Sequence, residues 1–322
     1  MKKSARMLLA TIVCLRLVLC GGPVSAAPER PELTFAVLSD IHVTSGNEQA
    51  RRKLERALQD LDQIDPAADA LVINGDLGDG RPEDYEALSR IMARVPHPKA
   101  LFYTIGNHEF YKAWYDGTGR WSYGTFPNGE TEISSIRRFL QLTGEREVYY
   151  DRWLAGYHFI FLGTEHYLQS GPGYGETAAL LSEAQLEWLR RKLAEKHAPN
   201  RPVFVFLHQP TNVALAETGN LSQQKLHAIL SRYPEVMLFN GHTHYALGQP
   251  GTIRDGRYVT LNSASVYEPL NKNGEPAGED ASQGFYVQVY PGRVTVKGRD
   301  FASRQWMAEA QFLIRFPHKK AG

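Results

Sequence analysis

Five short groups of polar residues contain the side chains of this chain that are best suited to chemistry. Together they supply imidazole nitrogens, carboxylate oxygens and one amide oxygen, which is the mixed ligand set of a two-metal hydrolytic centre. The sequence therefore indicates a reaction class, metal-assisted hydrolysis, as well as a fold. In chain order the groups are Asp40-Ile-His42, Gly75-Asp76, Gly106-Asn107-His108-Glu109, His208 and Gly241-His242-Thr243-His244.

The first two groups have a structural interpretation beside the functional one. Asp40 and His42 lie two residues apart after an apolar run, so an extended backbone directs both side chains to the same side. A loop cap and a surface histidine would explain them too. Gly75 permits a sharp turn that presents Asp76, whose two carboxylate oxygens can bridge two cations, although Gly-Asp is also a common turn dipeptide.

The remaining groups add the nitrogen ligands. Asn107 offers a neutral amide oxygen, and His108 beside it is suited to protonate or hydrogen-bond a leaving group. His208 taken alone is more typical of a structural histidine, whereas His242 and His244, at i and i+2, form a ready metal clamp. All five groups follow apolar runs of strand length, where open α/β sheets bind ligands, so their coincidence favours a site.

Two acidic residues near these groups are predicted to support the ligands and not to bind metal. They are Asp79 and Glu109, which are expected to hydrogen-bond ligand residues, although Asp79 fits a solvated loop acid equally well. His166 follows the apolar run that ends at Leu162, and its role stays open. The other five histidines are interpreted as structural or solvated: His97, His158, His197, His227 and His318.

The elements that position these groups alternate between strand and helix in the first two-thirds of the chain. Apolar runs predict strands at Leu33–Leu38, Ala70–Ile73, Ala100–Ile105, Tyr157–Leu162, Val203–Leu207 and Val236–Phe239. Patterns of 3.6-residue spacing predict helices at Glu48–Ile64, Pro82–Ala93, Glu132–Leu142, Ser182–Lys196 and Leu221–Arg232.

The C-terminal part, from about residue 250 to 322, is predicted to be rich in strands. Alternating segments lie at Tyr258–Asn262, Phe285–Tyr290 and Arg293–Lys297. The segment 303–316 fits either a strand or a docking helix. Strand-helix repetition followed by a strand-rich end predicts an α/β fold with two sheets and helices outside.

Residues 1–26 have the pattern of a secretory signal peptide. Basic residues precede an apolar run from Met7 to Leu19, and Val24-Ser25-Ala26 offers a cleavage site after Ala26. Cleavage is favoured over a lipid anchor at Cys20, and no membrane span is expected in the mature form because Arg16 interrupts the run. The protein is therefore expected to be secreted or extracytoplasmic.

Cysteine content and charge exclude several classes of function. Both cysteines, Cys14 and Cys20, lie in the expected signal peptide, so the mature chain is expected to have no disulfide, thiolate ligand or cysteine nucleophile. It retains 32 basic and 35 acidic residues, a net charge of −3. This balance gives no electrostatic footprint for nucleic-acid binding.

The ordered series D-x-H, G-D, G-N-H-E, H and G-H-x-H, which spans residues 40–244, resembles the calcineurin-like metallophosphoesterase superfamily and most closely the class III cyclic nucleotide phosphodiesterases and their relatives. The resemblance implies a four-layer α/β/β/α sandwich of two mixed β-sheets flanked by helices, formed by a single domain over residues 27–322. It also implies two metal ions, each iron, manganese or zinc, with His108 beside the phosphate. The implied ligands are Asp40, His42, Asp76 and His244 for one metal, and Asp76, Asn107, His208 and His242 for the other.

The expected function is therefore a secreted dinuclear-metal phosphoesterase acting on a small phosphoester. A hydroxide bridging the metals would attack the phosphorus of a phosphodiester or a phosphomonoester, with phosphodiesters favoured. The alternative is a secreted binding or surface protein that uses the metal site structurally. The aromatic-rich insert at about 110–144 either forms a rim that stacks on substrate or packs onto the body, and a Gly-rich loop at Gly171–Gly175 borders the same cleft in this interpretation.

Overall fold

A computed structural model describes residues 29–171, 177–211 and 221–318. The expected signal peptide, Cys20, and residues 172–175 of the Gly-rich loop lie outside the described residues. From Pro31 onward the described residues belong to one compact unit. In the part of the chain that the structure describes, the helices lack the combination of length and apolar character needed to cross a membrane.

Strands and helices alternate through the first part of the chain, and strands alone form its end. Three short 3-10 turns, at His108–Trp114, Tyr123–Thr125 and Leu168–Ser170, lie between them. In chain order the described elements are β1 (Leu33–Leu38), α1 (Glu48–Ile64), β2 (Ala70–Asn74), α2 (Pro82–Arg94), β3 (Ala100–Thr104), α3 (Glu132–Thr143), β4 (Tyr150–Leu154), β5 (Tyr157–Phe161), α4 (Glu183–Ala194), β6 (Val203–Phe206), α5 (Leu221–Leu230), β7 (Val236–Asn240), β8 (Ile253–Asp255), β9 (Val259–Asn262), β10 (Gln283–Tyr290), β11 (Arg293–Asp300) and β12 (Gln305–Arg315).

The strands form two mixed sheets of six strands each. The first has the order β12-β11-β10-β1-β2-β3, in which β1, β2 and β3 are parallel and β10, β11 and β12 are antiparallel to their neighbours. The second has the order β4-β5-β6-β7-β9-β8, with four parallel central strands and an antiparallel strand at each edge. The predicted two-sheet α/β class is confirmed.

Side-chain alternation along the strands builds three apolar layers. In β1, Phe35 and Val37 point between the two sheets, where Phe35 packs edge-on against Phe204 with ring centroids 4.9 Å apart. Ala36 and Leu38 point to the opposite face, which α1 and α2 cover. A third cluster joins the outer face of the second sheet to α4 and α5. Helix, sheet, sheet and helix therefore form the four predicted layers.

Helix α1 illustrates how the local sequence sets an element. Asn47 caps it by accepting a hydrogen bond from the backbone N–H of Ala50 at 3.0 Å. Its buried face includes Leu54 and Leu58, at the spacing that one side of a helix requires. The helix ends at Ile64, before Asp65-Pro66, with the bounds that the sequence predicts.

Three strands of the structure were not predicted or were left open. The edge strands β4 and β8 were missed because few of their residues are buried, so alternation does not reveal them. The open segment 303–316 contains a strand, β12, which pairs with β11 through Val294 and Ile314. Exposed apolar residues in β12, among them Trp306 and Leu313, hide its period-two pattern.

Candidate metal centre

The five sequence groups lie at the carboxyl ends of five parallel strands, which open α/β sheets use for ligand sites. Asp40 and His42 follow β1, Asp76 follows β2, and Asn107 with His108 follows β3, all in the first sheet. His208 follows β6, and His242 with His244 follows β7, in the second sheet. The candidate site therefore lies where the two sheets meet at this end.

The ligand atoms form two groups that share one carboxylate. Within each group, one donor atom per residue lies within 4.8 Å of every other. Nε2 of His208 is 3.1 Å from Oδ2 of Asp76, and Nε2 of His244 is 3.2 Å from Oδ1 of Asp40. Asp76 belongs to both groups, as a bridging ligand must. The groups are Asp40, His42, Asp76 and His244, and Asp76, His208 and His242.

Asn107 lies at the second group. Its Oδ1 is 2.9 Å from Nδ1 of His242, so an amide oxygen and an imidazole nitrogen face the same space. Neutral amide oxygens and imidazoles both serve as ligands of divalent metals. The structure thus brings together all seven residues that the sequence predicts as ligands.

Backbone strain is concentrated in the ligand loops. Among the described residues, ten that are not glycine have positive φ, and five of these are predicted ligands. Such conformations cost about 1–3 kcal/mol each and persist only where the surroundings impose them. The backbone therefore presents these side chains in a geometry set by the fold. The five are Asp40 (51°), His42 (43°), Asp76 (52°), His242 (70°) and His244 (57°).

Two glycines of the motifs are required by close packing against the ligands. A Cβ on Gly106 would lie 2.2 Å from Oδ1 of Asp76. A Cβ on Gly241 would lie 1.9 Å from Oγ of Ser39 and 2.6 Å from Oδ2 of Asp40. Any larger residue at either position would displace a predicted ligand.

Backbone carbonyls orient two of the imidazoles. Nδ1 of His208 lies 2.7 Å from the carbonyl oxygen of Asn74, and Nδ1 of His244 lies 3.0 Å from that of Glu268. A proton on each Nδ1 satisfies these contacts and leaves the Nε2 lone pair directed at the carboxylates. Nε2 of His208 is buried and has no hydrogen-bond partner of acceptable geometry among the described residues. A cation beside it would remove that unsatisfied contact.

The electrostatics of the cluster keep its aspartates ionised and divide its imidazoles into two kinds. Burial would raise the pKa of Asp40, but the neighbouring His208 and His244 lower it to about 2. Burial, followed by the charge of His108, lowers the pKa of His42 to about 3, and burial with His208 lowers that of His242 to about 4. Burial opposes protonation of His208 and His244 as well, but Asp76 and Asp40 raise the pKa of His208 to about 10, and Asp40 raises that of His244. A cation at these two nitrogens would therefore displace protons.

Glu109 connects the loops that present the ligands. Its Oε1 accepts from the backbone N–H of Leu77 at 2.8 Å, and its Oε2 accepts from those of Asp76 at 3.2 Å and Gly106 at 2.5 Å. Burial and the charge of Asp76 raise the pKa of Glu109 to about 7. The carboxylate is fully buried, and it supports the turn that presents Asp76.

His108 lies at the edge of the cluster and is partly exposed. Nδ1 of His108 is 3.1 Å from Oδ1 of Asp79, and its Nε2 is 3.9 Å from Oδ2 of Asp76. Tyr111 stacks on its ring, with centroids 3.8 Å apart. Burial opposes protonation, but Asp76 and Asp79 raise the pKa of His108 above its ordinary value. This imidazole can hold a proton at the edge of the cluster.

Sequence reasoning missed contributors that act through the backbone or a hydroxyl group. Ser39 donates from its Oγ to Oδ2 of Asp40 at 2.5 Å, and the carbonyls of Asn74 and Glu268 orient histidines. A carbonyl carries no side-chain signature, and one serine before Asp40 resembles any loop serine.

The remaining histidines lie away from the cluster. His166, whose role the sequence left open, is exposed, and its Nδ1 lies 3.2 Å from Oε2 of Glu132 and 3.1 Å from Oγ of Ser170. The other five make contacts with residues outside the cluster: His97 with Met92 and Pro98, His158 with Asp151, His197 with Glu235, His227 with Tyr258 and His318 with Asp255.

Comparison with known families agrees with this arrangement. The model of the calcineurin-like phosphoesterase family matches residues 33–246, which is more than half of the chain and includes every predicted ligand. The chain belongs to that family. None of the curated proteins compared with this phosphoesterase has a significantly similar sequence.

Solved structures share the fold of this phosphoesterase at low sequence identity. A dimetal phosphatase from Danio rerio has a TM-score of 0.59 at 16% identity, with 89% of this chain and 99% of that chain covered. A purple acid phosphatase from yellow lupin (Lupinus luteus) has a TM-score of 0.56 at 12% identity; 88% of this chain is covered, but only 53% of the lupin chain. GAP50, described as the anchor in the inner membrane complex of Plasmodium, has a TM-score of 0.52 at 14% identity and 89% coverage of both chains.

Proposed function

We propose that this protein is a secreted dinuclear-metal phosphoesterase that hydrolyses small phosphoesters and prefers phosphodiesters to phosphomonoesters. The observation that carries the proposal is the pair of ligand groups that share Asp76, with His108 partly exposed beside them. Within the proposed single catalytic domain, residues 27–322, both sheets contribute ligands. Export rests on the expected signal peptide at residues 1–26.

The residues divide into two metal sites in this proposal. Asp40, His42, Asp76 and His244 hold one cation, and Asp76, Asn107, His208 and His242 hold the other. Iron, manganese and zinc all suit this mixture of carboxylate, amide and imidazole donors. When bound, two such cations supply an activated water and neutralise charge on phosphoryl oxygens.

His108 provides the proton chemistry in this proposal. Since its Nδ1 faces Asp79, its Nε2 is the nitrogen left to interact with substrate. A proton held at Nε2 is transferred to, or hydrogen-bonded with, the oxygen that leaves phosphorus. Asp79 keeps the ring in the orientation that this transfer needs, and Glu109 holds the ligand loops in place.

The charge around the cluster supports the diester preference. A phosphomonoester carries a terminal dianionic group, and sites for such groups commonly include a guanidinium or ammonium group. Within the described residues, no Lys or Arg forms an ion pair with Asp40, Asp76 or Asp79. In this proposal the metals and a protonated His108 supply the positive charge of the site, which suits the single negative charge of a phosphodiester.

Metal analysis combined with chromogenic substrates tests this function. The purified mature protein is expected to contain two metal ions per chain and to hydrolyse bis(p-nitrophenyl) phosphate faster than p-nitrophenyl phosphate. A faster monoester reaction would overturn the preference but not the reaction class. A protein that binds two metals and is inactive on both esters and on alkyl phosphodiesters would favour the alternative of a secreted binding or surface protein.

A further inference from the structure

A lysine on the buried face of α1 contacts the chain segment that supports two of the metal ligands. Lys53 belongs to the helical stripe that also contains Ala50, Leu54 and Ala57, where the spacing calls for an apolar side chain. It is only 4% exposed. Because lysine is almost never buried to this extent without a partner, the partners of Lys53 indicate its role.

The ammonium group of Lys53 binds backbone oxygens. Its Nζ donates to the carbonyl oxygen of Tyr267 at 2.6 Å and to that of Ala281 at 2.9 Å. Among the described residues Lys53 forms no ion pair, whereas its neighbours Arg52 and Arg56 both pair with acidic side chains. Burial lowers the pKa of Lys53 below its ordinary value. The two carbonyl contacts therefore replace part of the hydration that the ammonium loses on burial.

The two carbonyls depend on the same contacts. Tyr267 and Ala281 lie in the connection between β9 and β10, and in the described part of the chain Nζ of Lys53 is the only hydrogen-bond donor to either carbonyl. Nζ also lies 5.6 Å from the centre of the Tyr267 ring, a distance at which a cation and an aromatic face attract each other. One side chain of α1 thus ties two distant points of this connection to the helix.

Residues 265–268 of this connection hold the loop that presents Asp40. Oγ of Ser265 donates to the carbonyl oxygen of Asp40 at 2.9 Å, and the backbone N–H of Tyr267 donates to the same oxygen at 3.2 Å. The positive φ of Asp40, 51°, persists only where the surroundings impose it. Segment 265–268 is part of those surroundings.

The same segment orients His244. The carbonyl oxygen of Glu268 lies 3.0 Å from Nδ1 of His244, and the backbone N–H of Leu270 donates to the carbonyl oxygen of His244 at 2.7 Å. In this orientation Nε2 of His244 lies 3.2 Å from Oδ1 of Asp40. A displacement of Tyr267 would therefore shift the contacts that bring Asp40 and His244 together.

The ligands that belong only to the second metal site have other supports. Nδ1 of His208 lies 2.7 Å from the carbonyl oxygen of Asn74, at the end of β2, and Nδ1 of His242 lies 2.9 Å from Oδ1 of Asn107. Within the residues that the structure describes, segment 265–268 makes no hydrogen bond to these three ligand side chains. The contacts of Lys53 therefore lead to one site and not to the other.

We propose that Lys53 is a positioning residue for one of the two proposed metal sites. From α1 it fixes segment 265–268, and that segment holds Asp40 and His244 so that both face the same cation. The site of Asn107, His208 and His242 does not depend on it. This role rests on the proposed phosphoesterase function, which supplies the metals.

Calorimetric titration of the metal-free mature protein with Mn²⁺ tests the proposal. Wild-type protein is expected to bind two ions. Lys53→Met keeps an unbranched side chain and removes the ammonium, and it is expected to weaken one ion about 10- to 100-fold while the other keeps its affinity. Lys99→Met, at an exposed position before β3, is the matched control and is expected to leave both affinities unchanged.

The outcomes separate this proposal from the proposed function. If wild-type protein binds two ions and Lys53→Met binds both with unchanged affinity, the role of Lys53 is overturned and the function stands. An equal loss at both ions would show a general structural effect and would also overturn the role. Wild-type protein that binds fewer than two ions would contradict the proposed function itself.

Combined variants identify the ion that Lys53→Met weakens. Added to His208→Ala, which removes a ligand of the second site, Lys53→Met is expected to leave both ions weakly bound. Added to His244→Ala, it is expected to cause little further loss, because both changes act on the same site. The reverse pattern would overturn the assignment to Asp40 and His244.

Chemical restoration of the ammonium separates positioning from a general structural role. The mature chain is expected to contain no cysteine, so Lys53→Cys introduces a unique thiol. Alkylation of this thiol with bromoethylamine in urea, followed by refolding, gives a lysine analogue in which sulfur replaces one methylene group. This form is expected to regain the wild-type affinity for both ions. The form treated with iodoacetamide, which carries a neutral amide, is expected to bind one ion as weakly as Lys53→Met does.

Two results of this restoration would contradict the proposal. Equal affinities in the two alkylated forms would show that the ammonium is not what positions the ligands. Folding of the bromoethylamine form alone would show that Lys53 supports the fold as a whole and not one metal site.

Discussion

The hydroxyl of Tyr115 donates to Oδ2 of Asp79, and the other oxygen of that carboxylate lies 3.1 Å from Nδ1 of His108. The guanidinium of Arg81 lies 4.4 Å from the centre of the Tyr115 ring. A residue of the aromatic-rich insert therefore holds the acid that orients the proposed proton donor. The insert contacts the candidate metal centre through Tyr111, which stacks on His108, and through Tyr115.

Replacement of His108 tests its catalytic role. His108→Ala is expected to lower kcat on alkyl phosphodiesters by about 10²- to 10⁴-fold, because it removes the only proposed proton donor. Both metals are expected to remain, since no metal is assigned to His108. Turnover and metal content are measured on the same preparation. Wild-type turnover on several alkyl phosphodiesters would show that the assigned role is wrong.

Removal of one hydroxyl tests Tyr115 as a positioning residue. Tyr115→Phe is expected to reduce kcat about three- to tenfold on alkyl phosphodiesters, because it removes one hydrogen bond to the Asp79–His108 pair. On nitrophenyl esters the loss should be smaller, because nitrophenolate leaves without a proton. Tyr123→Phe, at a residue that is 77% exposed, is the matched control. A loss that is equal for both kinds of leaving group would indicate a structural role only.

Glu109 is expected to act through metal affinity. In the wild-type protein, the two carboxylate oxygens of Glu109 accept from the backbone N–H groups of Asp76, Leu77 and Gly106. Glu109→Gln replaces one of these oxygens with an NH₂ group, which cannot accept. Metal affinity is expected to fall about 10- to 100-fold, as for other residues that support metal ligands. Competition with a chelator measures this loss. Glu187→Gln, at an exposed position of α4, should leave the affinity unchanged, and an equally small effect at Glu109 would contradict its proposed role.

Much of this centre is predictable from the sequence because its ligands lie directly after buried strands. Asp76 and His208, for example, follow apolar runs that match β2 and β6 within one residue. The positive φ of Asp40 and the carbonyl contact of His244 are not predictable, because tertiary packing imposes them.

The buried pair of Asp60 and Arg299 is expected to dominate the stability of the contact between α1 and the first sheet. Nε of Arg299 donates to Oδ2 of Asp60 at 2.7 Å, and a second guanidinium nitrogen donates to Oδ1 at 2.9 Å. Asp60 is 1% exposed, so loss of Arg299 leaves a buried charge without a partner. Arg299→Met is therefore expected to lower the free energy of unfolding by about 3–5 kcal/mol.

Urea unfolding of matched variants measures this contribution. Arg90→Met breaks the exposed pair of Arg90 and Glu86, 3.5 Å apart, and is expected to cost less than about 1 kcal/mol. Replacement of both buried partners, Asp60→Leu with Arg299→Met, should be less destabilising than Arg299→Met alone, because it removes the orphaned carboxylate. Two results would contradict this interpretation: Arg299→Met costs no more than Arg90→Met, or the double variant is less stable than Arg299→Met alone. Either result would show that the pair does not stabilise the fold by neutralising a buried charge.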